Sequence, residues 1–142
     1  MAVCDGDSLM SKLRLPIELV PQPLWGKTLS KVSRKSTKCN ALWQSIRAKE
    51  LARTKRLCEV CGEDGRVVHE KWGYDDTSRV QKLTGFEVVC WNCSNAHHLG
   101  AASVQGYADE AIRHFMKVNA LSQQRAQQLL HEAARVMIER SK

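Results

Sequence analysis

The chain has 142 residues, 43% of them hydrophobic and 26% charged, with a net charge of +7, which fits one compact soluble domain with appended helices. No apolar run approaches the roughly 20 residues of a membrane-spanning helix, and residues 1–12 lack the apolar stretch of a secretory signal. We therefore expect a cytoplasmic protein, in which six cysteines indicate metal binding or thiol reactivity before disulfides.

The N-terminal segment, residues 1–56, is basic and contains all three prolines, so we expect it to be mostly irregular up to residue 38. Residues 1–57 hold 12 lysines and arginines against 4 acids, whereas residues 58–105 hold 4 against 7. A basic cluster is the electrostatic footprint of a phosphate-binding surface, with a solvated arm as the alternative. The residues predicted to bind DNA or RNA are Lys27, Lys31, Arg34, Lys35 and Lys38.

One long helix is predicted at the end of this segment. Ser36 or Thr37 can cap a helix that begins near Lys38. Trp25, in the sequence PLWGK before the helix, is expected to be buried against the core. The apolar residues of the helix recur at helical spacing and should share one buried face: Leu42, Trp43, Ile46 and Leu51.

A short hairpin and a short helix are predicted next. The sequence CEVCGEDGRVVHE predicts a tight turn and then a strand over residues 66–69, and FEVVC predicts its partner strand over residues 86–90. The helix that follows should begin near Cys93 and end at Gly100, because glycine is common just past a helix end.

Residues 106–142 predict two helices, the second of them capped by Ser122. Each helix has an apolar stripe that is most simply explained as core packing. His114 and His131 on these helices are expected to be solvated or to lie at an interface. The stripes consist of Ala108, Ala111, Ile112, Phe115 and Met116 in the first helix, and of Ala126, Leu129, Leu130, Ala133, Val136 and Met137 in the second.

Two CxxC pairs, separated by 28 residues, indicate a zinc site. Two thiolates three positions apart on a tight turn can reach one ion at about 2.3 Å, and two such pairs complete a tetrahedral site. A redox pair of the thioredoxin type is the alternative for a single CxxC, but it needs a different structural context. We therefore predict structural Zn²⁺ bound by Cys58, Cys61, Cys90 and Cys93.

Several short motifs follow one another in a recognisable order: VPQPLWGKTL, CEVCG, HEKWGYDD, QKLTGF, CWNCSNAHHLG and MKVNALS. This series, from about Val20 to the C-terminus, resembles a bacterial and phage subgroup of the HNH endonuclease family. The resemblance implies an α+β fold with a small zinc-centred treble-clef (ββα-metal) core, residues 57–105. The basic N-terminal segment and a C-terminal helical pair, residues 106–142, would flank that core.

The resemblance also implies roles for individual residues. A histidine on the first strand of the family activates water, and His69 matches it, while His98 matches the second of two helix histidines that bind a catalytic ion. His69 and His98 are thus the implied catalytic residues, and Glu70 and His98 are candidate ligands of a second metal, Mg²⁺ or Mn²⁺, with Asp75 or Asp76 as further oxygen ligands. Ser94 stands where the family has its first helix histidine, and His97 is expected to be exposed.

Three functions are compatible with these features. The first is an HNH-type, metal-dependent endonuclease that hydrolyses nucleic-acid phosphodiester bonds. The second is a non-catalytic zinc module that binds DNA or RNA, which Ser94 favours. The third is a protein-interaction module, for example a phage-encoded inhibitor of a host nuclease or defence system, which the acidic balance of residues 58–105 favours.

Overall fold

The fold is mixed α+β, as predicted. The computed structural model describes Met10 and residues 12–142, so the remaining part of the predicted basic segment lies outside the described residues. The described residues form one two-stranded sheet and six α-helices. In chain order these are α1 (Leu29–Val32), α2 (Thr37–Arg53), β1 (Val67–Asp75), β2 (Val80–Val89), α3 (Trp91–His97), α4 (Leu99–Val104), α5 (Ala108–Asn119) and α6 (Gln123–Ser141).

The two strands form a longer hairpin than the sequence predicted. They pair antiparallel from Val67 opposite Val89 to Asp75 opposite Val80, with an irregularity after Lys71. There the hydroxyl of Thr84, the extra residue on β2, donates to the Lys71 carbonyl oxygen at 3.0 Å. The far end of the hairpin escaped prediction because it contains Gly73, Gly85 and several polar residues that are uncommon in strands, although Trp72 and Tyr74 alternate with them.

Helix α2 packs on one face of this hairpin. Its start is as predicted, because the Ser36 hydroxyl accepts a hydrogen bond from the Cys39 N–H. Leu51 of α2 is buried with Val68 and Val88 of the strands, and the rings of Trp43 and Phe86 pack beside them. Two residues that were predicted to be buried are exposed. The exposed fraction is 63% for Trp25, which precedes α2, and 64% for Leu42 in α2, so both predictions are wrong.

Trp25 is exposed although its indole group is fixed. It lies after a 3-10 turn, Gln22–Leu24, and its Nε1–H donates to the Val20 carbonyl oxygen at 2.8 Å. The hydrogen bond satisfies the polar atom of the ring without burying the ring itself.

The short helix after the second CxxC pair is interrupted where the sequence predicted continuity. α3 ends at His97, His98 leaves the helical conformation with φ −105° and ψ 52°, and α4 then contains Gly100. Gly100 therefore does not end a helix, and the predicted end is wrong. The last two helices, α5 and α6, occur as predicted, with the Ser122 hydroxyl accepting from the Arg125 N–H at the start of α6.

The chain divides into two compact units. One comprises the described residues up to Leu19 together with Asn92–Glu139, and the other comprises Val20–Trp91 together with Arg140–Lys142. The three-part division at residues 56 and 105 stays a prediction.

In the unit that contains α5, side chains bind the backbone of the N-terminal residues. The Asn119 amide accepts a hydrogen bond from the Leu15 N–H at 2.9 Å and donates one to the Leu15 carbonyl oxygen at 2.8 Å. His97, predicted to be exposed, is only 1% exposed, and its Nδ1–H donates to the Pro16 carbonyl oxygen at 2.8 Å. The prediction for His97 is wrong because these backbone groups, lacking a strand partner, are paired by side chains instead.

In the other unit, the C-terminal residues contact the hairpin. The Arg140 guanidinium binds the Asp76 carboxylate at 2.7 and 3.2 Å and lies 4.6 Å from the centre of the Tyr74 ring. The Ser141 hydroxyl accepts from the Gln22 N–H at 3.0 Å. Asp76, a predicted oxygen ligand, is thus held by an arginine.

Candidate metal centre

The four cysteines of the two CxxC pairs come together in the fold. Their sulfur atoms all lie within 4.8 Å of one another, and three of the four residues are buried: Cys58, Cys90 and Cys93, with Cys61 partly exposed. Among the described residues, this is the one group of cysteine, histidine or acidic side chains close enough to hold a metal ion. The arrangement could bind zinc, as the spacing predicted.

The sulfur separation matches a shared ion better than a disulfide. Cys61 Sγ and Cys90 Sγ are 3.6 Å apart, well beyond a sulfur–sulfur bond. Two ligands at about 2.3 Å from one tetrahedral ion lie about 3.8 Å apart. The donor set and its spacing therefore fit zinc.

The first CxxC pair lies on a tight turn that its backbone closes. The Cys58 N–H donates to the Glu63 carbonyl oxygen at 2.7 Å, and the Gly62 N–H donates to the Cys58 carbonyl oxygen at 2.9 Å. Gly62 has φ +80°, a conformation that glycine adopts without steric cost. At Gly65 an added Cβ would lie 2.7 Å from Val88 Cγ1 and 2.9 Å from the Leu57 carbonyl carbon, so this turn packs directly on β2.

Glu59, between the two cysteines of this turn, ties the turn to its neighbours. Its carboxylate accepts from the Val88 N–H at 2.8 Å and from both terminal nitrogens of Arg53 at 2.9 Å. The bonds from Arg53 and then from Val88 lower the pKa of Glu59. The end of α2 and strand β2 thereby fix the position of Cys58 and Cys61.

The environment of Cys58 favours a thiolate. Burial raises the pKa of its thiol, but backbone N–H groups of Cys61, Cys90 and Val60 directed at the sulfur outweigh burial and leave the pKa below its ordinary value. One of these, the Cys61 N–H, lies 3.5 Å from Cys58 Sγ. The thiolate is the form of cysteine that binds metal, so these amides favour the form that a zinc ion would need.

The second CxxC pair spans the junction of the hairpin and a helix. Cys90 follows directly on β2, and Cys93 lies in the first turn of α3. One sequence segment can therefore aim two sulfurs at the same point, since the strand fixes the first and the helical turn fixes the second.

His114 of α5 contacts this centre, which sequence analysis missed. Its Nε2 lies 3.1 Å from Cys93 Sγ, and burial, followed by the charge of Lys117, lowers the pKa of the imidazole. The sequence placed His114 on a helix without indicating its neighbours. The usable signal was its position three residues after Ala111 and one before Phe115, at the edge of the buried stripe.

His69 and His98, the residues that the resemblance implies as catalytic, lie near the cysteines in the sequence but differ in burial. His69 is buried on β1, and His98 is partly buried directly after α3. Ser94 is buried within α3. The catalytic roles of His69 and His98 stay predictions.

Glu70 has a structural role in the fold. Its two carboxylate oxygens accept from the Leu29 N–H at 2.6 Å, the Ser30 N–H at 3.4 Å and the Ser30 hydroxyl at 3.3 Å. Because successive residues of a strand point to opposite faces, Glu70 faces α1 and the Val68–Val88 side, whereas His69 faces the other side. Glu70 is predicted to bind a second metal ion, but both of its carboxylate oxygens already accept hydrogen bonds from residues 29 and 30. Binding a metal would compete with these hydrogen bonds.

We expect Glu70→Ala to lower the free energy of unfolding by about 1–3 kcal/mol, because backbone N–H groups at the start of α1 would lose a buried acceptor. Glu70→Gln keeps one acceptor oxygen and should lose less. Urea unfolding measures both, with Glu110→Ala as an exposed-glutamate control. A Glu70→Ala protein as stable as the control would refute this role.

The five predicted nucleic-acid-binding residues are all exposed, from Lys27 before α1 to Lys38 in the first turn of α2. Lys31, Arg34 and Lys35 lie between them, on α1 and on the 3-10 turn Ser33–Lys35. Their charges are therefore available to a ligand, and their binding role stays a prediction.

None of the described helices combines the length and apolar character needed to cross a lipid bilayer. A scan of protein-family models and searches of curated proteins and solved structures found no match to this chain.

Proposed function

We propose that this chain is an HNH-type, metal-dependent endonuclease whose treble-clef core is stabilised by one zinc ion. The observation that supports this most is the order hairpin, then helix, around four clustered thiols, with His69 on the first strand and His98 directly after the helix. The resemblance to the HNH family implies this hairpin and helix, and it implies histidines at these two places. The zinc would hold the shape of the module and take no part in the reaction.

In this proposal the chain's own residues have separate tasks. His69 would accept a proton from the water that attacks the phosphorus, and His98 would help to hold the catalytic ion. When bound, Mg²⁺ or Mn²⁺ would stabilise charge on the phosphate and on the leaving oxygen. The basic residues from Lys27 to Lys38 bind the phosphates of the nucleic-acid backbone, which is a sequence-independent attraction.

A second candidate is a non-catalytic module that binds nucleic acid or a protein, and three observations favour it. Ser94 supplies no imidazole, both Glu70 oxygens are engaged by residues 29 and 30, and His69 is only 3% exposed. A general base must reach water and substrate, so the nuclease needs His69 to become accessible when nucleic acid binds.

A plasmid-nicking assay distinguishes the two candidates. With Mg²⁺ or Mn²⁺, the wild-type protein should nick plasmid, and His69→Ala should lower the rate by about 10²–10⁴-fold, the typical contribution of a general base. His131→Ala, an exposed histidine on α6, is the matched control and should leave the rate unchanged. All three proteins should contain one zinc.

Absence of cleavage with every divalent ion, while zinc is present, would remove the nuclease proposal. Binding of DNA or RNA that weakens steeply with salt would then support the nucleic-acid-binding module. Salt-insensitive or absent binding would support a protein partner.

A further inference from the structure

The contact between His114 and Cys93 has no part in the proposed function, although it joins α5 to a candidate metal ligand. His114 Nε2 and Cys93 Sγ are 3.1 Å apart, within hydrogen-bond distance for sulfur. Cys93 has no exposed surface, and His114 is partly buried. Water is thus excluded from the cysteine at this contact, where a direct partner has the most effect.

The direction of the hydrogen bond follows from the chemistry of the sulfur. A cysteine that binds zinc is a thiolate, which can only accept. The imidazole must therefore carry its proton on Nε2 and donate it to the sulfur. A zinc ion with four thiolates also has a net negative charge, and a hydrogen bond donated to one sulfur stabilises that charge.

We propose that His114 is a positioning residue of the metal centre: it donates its Nε2–H to the Cys93 thiolate, strengthens zinc binding and fixes α5 to the ligand. The donor stands outside the four ligands. Groups in this position orient ligands and change metal affinity, and their loss typically weakens binding by about 10–100-fold. α5 is then coupled to metal binding although it contributes no ligand.

The test is zinc affinity of the full chain, measured by competition with a chromophoric chelator. His114→Ala should bind zinc about 10–100-fold more weakly than wild type. His114→Gln, whose side-chain amide can also donate, should recover most of the affinity. His131→Ala, the other histidine of the C-terminal helices, should bind as wild type does.

A His114→Ala affinity within about twofold of wild type would overturn the proposal. Equal loss in the glutamine and alanine variants would overturn it as well, because donation would then not matter. If the alanine variant does not fold with zinc, the glutamine variant decides: near-wild-type affinity supports donation from His114, and zinc binding weakened about tenfold or more overturns the proposal. Charge-transfer absorption of the Co²⁺-loaded protein adds a separate readout, since three thiolates instead of four would make His114 a ligand and contradict the assignment.

Discussion

Replacing Cys58 with serine is expected to abolish zinc binding and to unfold the region that surrounds the cysteines. Structural zinc contributes on the order of 10–16 kcal/mol in small zinc-finger peptides, whereas a whole domain is stable by only about 5–15 kcal/mol. Cys58 is 3% exposed, and its turn packs on β2 at Gly65, so loss of the ligand also disturbs the hairpin. Circular dichroism and metal analysis of the purified variant measure the two effects.

The chain provides a matched control for this experiment. Cys39 is an exposed thiol on α2, outside the cluster, and Cys39→Ser should retain one zinc and wild-type stability. Removing the metal from the wild-type protein with a strong chelator should reproduce the Cys58→Ser result. A Cys58→Ser protein that stays folded without zinc would contradict a structural role for the ion.

Asn119→Ala is expected to cause the next largest loss, several kcal/mol of unfolding free energy. The Asn119 amide pairs with both the N–H and the carbonyl oxygen of Leu15, a residue with no exposed surface. Each buried backbone group left without a partner costs about 1–3 kcal/mol. Thermal or urea unfolding of the zinc-loaded protein measures the change.

The control is Asn40→Ala, the same substitution at an exposed position of α2. It should change stability by less than about 0.5 kcal/mol, as is usual for surface sites. If the two variants were equally stable, the pairing of Asn119 with Leu15 would not contribute to stability. Hydrogen exchange at the Leu15 amide would then be fast in both variants.

Local features of the sequence predicted the local structure well. Ser36 and Ser122 each cap a helix as expected, because a capping side chain bonds an N–H three residues away in the chain. The two CxxC pairs likewise predicted the thiol cluster, since each pair needs only a tight turn to aim two sulfurs at one point. The predictions for Trp25 and Leu42 were wrong. Apolar character and helical spacing do not show whether another part of the fold covers a side chain.

The amino-acid sequence by itself determined the mixed α+β character, the helix starts and the identity of the four candidate zinc ligands, because each helix cap and each CxxC pair is a pattern of a few neighbouring residues. Only the tertiary structure decided that Glu70 binds residues 29 and 30, that Asn119 holds Leu15 and that His114 meets Cys93. These contacts join segments 21 to 104 residues apart. Such pairs form wherever folding brings an unpaired backbone group or sulfur beside a polar side chain, and neither residue type nor spacing specifies that meeting.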